Sequence, residues 1–321
     1  MPGSLSALES LAGEFGLGQV RDAVPITGHR DVVRLAAGDG VFLVRPAGPA
    51  DPALYEQVAL RLARAGIRQA MPLRTTAGAL VSESGLVVQE FLPGTAYLSP
   101  SRTQTLATMR HITAYHAVLR GVPVPAMAES VWTRVTEPAY LLAELPRLCH
   151  GDNVAGRALE LLTDALPQIS ALPRQLVHGD IGPDNVLMDG ADVVAIIDFT
   201  PHHQPALFAV ATAIYWYHVH GHDDPDPAAI GASLDAAGPW TGAERAAWPA
   251  MLLLEALRRL ATPLAIAAES AHAPAAASAH AQTSAQAALL SRRHTAVAAI
   301  VRTWPALAAI GLSRCTGASG P

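Results

Sequence analysis

The stretch that most constrains this 321-residue chain runs from Gln175 to Phe199. Gln175-Leu176-Val177 is short and apolar enough for a strand. The following His178-Gly179-Asp180-Ile181-Gly182-Pro183 is punctuated by Gly and Pro, so a tight loop follows and not a helix. Val186-Leu187-Met188 resumes as a strand, Asp189-Gly190 is a hairpin signal, and Val193 to Ile197 is the returning strand. The hairpin carries Asn185 and Asp198 to the same end, behind the loop that bears Asp180.

Two acids and an amide at this spacing suit one chemistry. Phosphoryl transfer to a hydroxyl needs a carboxylate that orients the nucleophile, and oxygen-bearing side chains that hold magnesium on the nucleotide phosphates. Asp180 supplies the first, Asn185 and Asp198 the second. Buried Asp and Asn in turns usually serve only as caps and turn-formers. Three such groups within one strand, loop and hairpin are harder to produce that way.

The segment resembles the catalytic and metal-binding segments of the aminoglycoside phosphotransferase and choline kinase family, small-molecule kinases with a protein-kinase-like fold. Protein kinases carry H-R-D-x4-N and D-F-G; here Gly179 replaces the Arg and Thr200 the final Gly. The resemblance covers roughly residues 28–260. It implies an α+β, two-lobed protein-kinase-like fold: a small N-terminal lobe over 1–92 with an antiparallel sheet and one helix, and a large, mainly helical C-terminal lobe over 93–321. It implies ATP and Mg2+ in the cleft and a small-molecule hydroxyl as acceptor.

Further residues follow from the resemblance. Thr27-Gly28 lies where a loop covers the nucleotide phosphates. Arg45, ending Phe42-Leu43-Val44-Arg45, takes the place of the phosphate-clamping basic residue. Glu56, in the helix opened by Asp51-Pro52, is the acid that would orient Arg45. Gln89-Glu90-Phe91 is the hinge whose backbone would meet the adenine edge. The family commonly has an Asp near position 209 that steadies the catalytic loop; Phe208-Ala209-Val210 lacks it.

Composition narrows the partners. The chain has no lysine; all 22 basic residues are Arg, and the net charge is −5. Residues 1–150 hold 13 Arg against 12 acids, and residues 151–321 hold 9 against 15. That balance argues against nucleic acid and permits a cationic acceptor, with Asp223, Asp224, Asp226, Glu255 and Glu269 as candidates to receive it. Two cysteines make neither a disulfide framework nor a zinc site. There is no basic leader before an apolar run, and the apolar stretch around 251–266 carries Glu255, Arg258 and Arg259, so a cytoplasmic protein without membrane contact is expected. The acceptor favoured is an aminoglycoside or another antibiotic, with antibiotic resistance as the role. Homoserine, choline or a sugar, or a nucleotide-binding pseudokinase without turnover, are the alternatives.

Along the chain, residues 4–17 read as an amphipathic helix, 32–36 and 41–45 as strands, and 72–91 as three more strands. Helices are expected over 101–119, 155–169, 206–218, 243–260 and 289–312, with an irregular Pro-rich segment over 121–150. His116 reads as a packed helix residue, and His202-His203 as a plain loop rather than a metal pair.

Overall fold

The computed structural model describes residues 5–26, 31–47, 52–124, 134–149, 151–271 and 279–312, without the side chains of 268–286. The N-terminal part is helix α1 (Leu5–Glu14), strands β1 (Val20–Pro25), β2 (Val33–Ala37) and β3 (Gly40–Pro46), helix α2 (Pro52–Arg64) and strand β4 (Leu86–Glu90). The four strands form one antiparallel sheet in the order β1-β2-β3-β4. Alternation on β2 buries Val33, Leu35 and Ala37, which pack with Leu8, Leu11 and Phe15 of the α1 segment. Helix α2 turns Leu54, Val58 and Leu62 inward, as its period demands.

Two expectations fail here. Only β4 forms over 72–91, because Thr75, Ser82 and the turns at Gly78 and Gly85 hold the rest as loops; Pro72 makes only an isolated bridge to Gln89. Strand β1, with burial pattern ieeiee and thus little apolar signal, was not expected.

The chain leaves the sheet at Gly94, whose φ of 141° is closed to other residues and whose Cβ would lie 2.9 Å from Leu187 Cβ. Strand β5 (Thr95–Ala96) then pairs antiparallel with Leu187 and Met188. Helix α3 (Arg102–Leu119) starts with a capping box between Ser101 and Gln104. Helix α4 (Pro138–Leu148), within the segment expected to be irregular, precedes α5 (Asn153–Ser170). Next come β6 (Gln175–His178), a 3-10 turn (Pro183–Asn185), β7 (Val186–Asp189), β8 (Asp192–Ile196) and β9 (Pro201–Gln204). Helices α6 (Ala206–Ile214), α7 (Pro227–Ala236), α8 (Gly242–Ala271) and α9 (Ala279–Leu312) complete the helical part. The turn after α6, Tyr215–Val219, is a π-helix. Helix α8 is the central post: it packs against α4, α5, α6 and α9. No described helix is long and apolar enough to cross a membrane.

Candidate active site

Strand β7 pairs with β8 so that Val186 faces Ile196, and the Ile197 N–H donates to the Asn185 carbonyl at 2.9 Å. The hairpin therefore does bring Asn185 and Asp198 to one end. Asn185 is buried; its Nδ2 donates to the Asp180 carbonyl at 2.9 Å, and among the described residues its Oδ1 has no partner. Asp198 is exposed and sits at φ 53°, a left-handed conformation unusual for a residue with a side chain.

A buried histidine latches the loop to the hairpin. The Nε2–H of His178 donates to the Ile197 carbonyl at 3.0 Å, while its Nδ1 accepts from the Asp180 amide at 3.2 Å. Those roles require a neutral ring, and burial pushes the His178 pKa down accordingly. Behind it the Nε2 of His116 accepts from the His178 amide at 3.1 Å, and burial holds His116 at about 3. His116 is thus a packed residue, as expected. The second loop anchor is a glycine. A Cβ on Gly179 would fall 1.8 Å from Cδ2 of buried His202, so the side chain of β9 occupies the space a larger residue would need. His202 lies on strand β9 and not in the plain loop expected there; burial and the nearby Arg258 and Arg259 charges hold it at about 3.

Asp180 is not free. Its Oδ1 accepts from Arg259 Nη2 at 2.5 Å. Burial pushes the Asp180 pKa up, yet the charge and hydrogen bond of Arg259, with Arg258 and His178 behind, leave it below the ordinary carboxylate value. Arg259 Nε donates to Glu255 at 2.7 Å, and Arg258 donates to the same carboxylate at 2.6 and 2.8 Å. Arg258 also donates to the Gly179 carbonyl at 3.1 Å. Glu255 is therefore a buried counter-ion of two guanidiniums and no receptor for a cationic acceptor. Asp226 caps α7 through the Ala228 amide, and the Asp223 carbonyl accepts from Arg302. Glu269 lies outside the described side chains. Ala209 is fully buried among apolar neighbours, and the loop takes its hold from Arg258 instead.

One cavity between the sheet and the hairpin gathers Arg45, Gln89, Glu90, Phe91, Asn185 and Asp198. Its apolar walls are Ile26, Val32 and Leu43 on one side and Leu187 and Ile197 on the other. Thr27 and Gly28 lie outside the described residues. The expected Arg45–Glu56 pair does not form: Glu56 binds Arg74 at 2.7 Å, whereas Arg45 stacks over Tyr55 at 5.3 Å. Tyr55 in turn meets Phe199 edge-on at 5.6 Å. An aromatic neighbour thus takes the acid's part, one residue earlier on α2. The amides of Glu90 and Phe91 are engaged too, by the Met71 and Val41 carbonyls.

The donor set suits magnesium. Among the described residues no three His, Cys, Asp or Glu converge on a metal site. Magnesium needs none, since it keeps several waters and takes one or two protein oxygens beside the phosphates.

A second cavity of about 460 Å³ opens on the other side of the catalytic loop, lined by Ser99, Pro183, Asp184, Trp216, Tyr217 and His220 among others. Asp184 borders both cavities. Trp216 lies 4.7 Å from the Arg259 guanidinium. Sequence reasoning missed this wall; its signal was the aromatic run Tyr215-Trp216-Tyr217 at a helix end, where the π-turn presents the rings, a feature frequent at functional sites.

Comparison with known proteins agrees with this geometry. A curated homoserine kinase from Methylobacillus flagellatus is 42% identical over 91 residues, 27% of this chain and 28% of that protein. One from Pseudomonas aeruginosa is 27% identical over 274 residues, 79% of this chain and 84% of its own length. The matches thus span from about a quarter to most of the curated relatives' length. Among solved structures, an amicoumacin kinase in complex with AMP-PNP and Ca2+ superposes with a TM-score of 0.64 at 16% identity, covering 92% of this chain and 93% of the other. Aminoglycoside phosphotransferase APH(4)-Ia, in a ternary complex with ADP and hygromycin B, gives 0.61 at 15%, covering 92% and 98%. At these identities the likeness is one of fold, and that fold is kinase-like. The sequence profile of the APH phosphotransferase enzyme family matches residues 23–254, most of the chain, and the chain belongs to that family.

Proposed function

We propose that the protein is an ATP- and magnesium-dependent kinase that phosphorylates a hydroxyl of a small molecule. The observation that carries this reading is the single cavity in which Arg45, the hinge, Asn185 and Asp198 meet, with Asp180 on the loop beside it. Residues 1–92 would supply the nucleotide side and residues 93–321 the catalytic and acceptor side. The sheet and hairpin walls would sandwich the purine, and Arg45 would reach the phosphates as a charged fork. Asn185 Oδ1 and the Asp198 carboxylate would hold magnesium, which when bound neutralises charge on the phosphates. Asp180 would orient the acceptor hydroxyl and receive its proton on Oδ2. The new O–P bond forms as the bond from the γ-phosphorus to the β–γ bridging oxygen breaks. Little covalent chemistry falls to the protein, so positioning and charge cancellation carry the rate.

The acceptor reading follows the second cavity. Among the described residues Asp184 is the one carboxylate in its lining. Burial raises Tyr217 to about 12 and lowers His220, so both rings are neutral at pH 7. One acid among aromatic walls suits a hydroxyl compound with a single ammonium, such as the amino-acid alcohol homoserine, better than a polycationic aminoglycoside. The curated relatives named homoserine kinase support this order. An antibiotic acceptor is the second reading, favoured by the kinase folds solved with hygromycin B and amicoumacin.

Mass spectrometry of homoserine, choline, aminoglycosides and other antibiotics after incubation with protein, ATP and magnesium tests both. A gain of one phosphoryl group on homoserine, lost in Asp180→Ala, is expected. Phosphorylation of an aminoglycoside instead would overturn the acceptor choice, and no product on any member would count against the kinase reading. Asp180→Ala should lower turnover by roughly a thousandfold and leave ADP binding unchanged by calorimetry. Asp198→Ala should weaken magnesium-nucleotide binding itself.

A further inference from the structure

The kinase reading gives Asp180 its role but leaves the Glu255–Arg258–Arg259 cluster unexplained. Three charges lie on consecutive turns of α8, with side chains 0%, 3% and 9% exposed. Such a cluster is a poor source of stability, because desolvating charges offsets most of their attraction. It is also more charge than a helix-packing contact needs.

Its reach is confined to the catalytic loop. Arg258 takes the Gly179 carbonyl and Arg259 takes Asp180 Oδ1, two adjacent residues gripped by two adjacent arginines. Glu255 fixes both guanidiniums from behind through three hydrogen bonds. Packing closes the arrangement: Phe208 lies under Arg258 at 5.6 Å and Trp216 beside Arg259 at 4.7 Å. The grip on Asp180 is one-sided. Only Oδ1 is engaged, and among the described residues Oδ2 has no partner.

We infer that Arg259, held by Glu255 and seconded by Arg258, is the positioning residue of the catalytic loop: it fixes the rotamer of Asp180 through Oδ1 and leaves Oδ2 to the acceptor hydroxyl. The inference rests on the kinase reading for its catalytic consequence, but not for the anchoring itself. Trp216 belongs both to the acceptor wall and to the packing of Arg259. The same guanidinium therefore sets the distance between the acceptor cavity and Asp180.

Two measurements on the full-length protein decide it. Hydrogen–deuterium exchange of the peptide containing residues 178–182 should be about tenfold faster or more in Arg259→Ala and Arg258→Ala, with exchange elsewhere nearly unchanged. In turnover, Arg259→Ala should lower kcat by roughly a hundredfold with KM for ATP unchanged, since a misplaced group costs rate and not nucleotide binding. Arg259→Lys, which keeps the charge without the fork, should recover part of that loss. If Arg259→Ala does not fold, the double variant Glu255→Gln with Arg259→Met removes both charges together and carries the same expectation. Unchanged exchange in the loop would overturn the anchoring, as would a uniform rise across the whole chain, which marks a merely structural cluster. Faster loop exchange with kcat intact would overturn the positioning role. Failure of the wild-type protein to phosphorylate any acceptor would sink the kinase reading alone, because the exchange measurement still decides the anchor.

Discussion

The two sides of the cleft position their arginines by opposite means. Arg45, on the proposed nucleotide side, is half-buried and rests on the face of Tyr55, with no acid holding it among the described residues. Arg259, on the catalytic side, is buried, shares Glu255 with Arg258 and grips Asp180. A stacked guanidinium on an open strand end can swing toward arriving phosphates at little cost. One locked in a buried ion cluster cannot. In the proposed roles, the phosphate clamp rests on a single stacking contact, whereas the loop bearing Asp180 is held by a buried ion cluster.

The largest effect expected from this contrast is on stability. Glu255→Ala strips the acceptor from two buried guanidiniums and should destabilise the fold by about 3–5 kcal/mol, read as a shift in the urea midpoint. Breaking the corresponding pair of the nucleotide side, by Arg74→Ala opposite Glu56, should leave the urea midpoint nearly unchanged because Arg74 is exposed to solvent. Equal shifts would erase the distinction between the two sides.

Nucleotide binding sharpens the comparison in the other direction. Arg45→Ala should weaken ADP binding by about tenfold, roughly the value of one exposed charge-assisted contact. Glu56→Gln should leave it nearly unchanged, because Glu56 holds Arg74 and not Arg45. A loss in Glu56→Gln equal to that in Arg45→Ala would mean that the acid does orient the clamp.

The last contrast separates the sides by pH. His116 and His202, both on the catalytic side, are held at about 3 by burial, against an ordinary value of 6.5. Between those values the unfolded chain binds protons that the folded chain refuses, so stability must fall as pH drops below 6.5. From pH 7 to 6 the two rings together should lower stability by about 1.4 kcal/mol, rising toward about 1.4 kcal/mol per ring for each further unit. Asp180, held below the usual carboxylate value, acts in the same sense at lower pH, contributing stability that is lost as pH falls through that range. A melting temperature flat between pH 7 and 5 would show those rings to be solvated.

How much of this was legible in the sequence depended on whether the signal was local. The hairpin that unites Asn185 and Asp198 is written in Asp189-Gly190 and its flanking strands, and it forms, with one register shift between Leu187 and Met188. Helix α2 declared its buried row by period alone. The Arg45–Glu56 pairing failed because adjacent positions on one helix, Tyr55 and Glu56, differ in direction by about 100°, and spacing alone does not say which faces the strand. The cluster at 255–259 read as surface charge or as an interruption of an apolar run. Its partners lie 79 residues away, and only the packing of α8 against the catalytic loop brings them together. The acceptor wall stayed hidden because a π-turn obeys no helical period.

The contact between Gly179 and His202 bears on how this site can change over generations. Any side chain at 179 collides with the His202 ring, so position 202 must shrink first. Yet shrinking His202 alone opens a void beneath the loop, at a cost that grows with the volume left empty. Each step is unfavourable by itself and tolerable only beside the other. A side chain at 179 therefore fits only beside a smaller residue at 202.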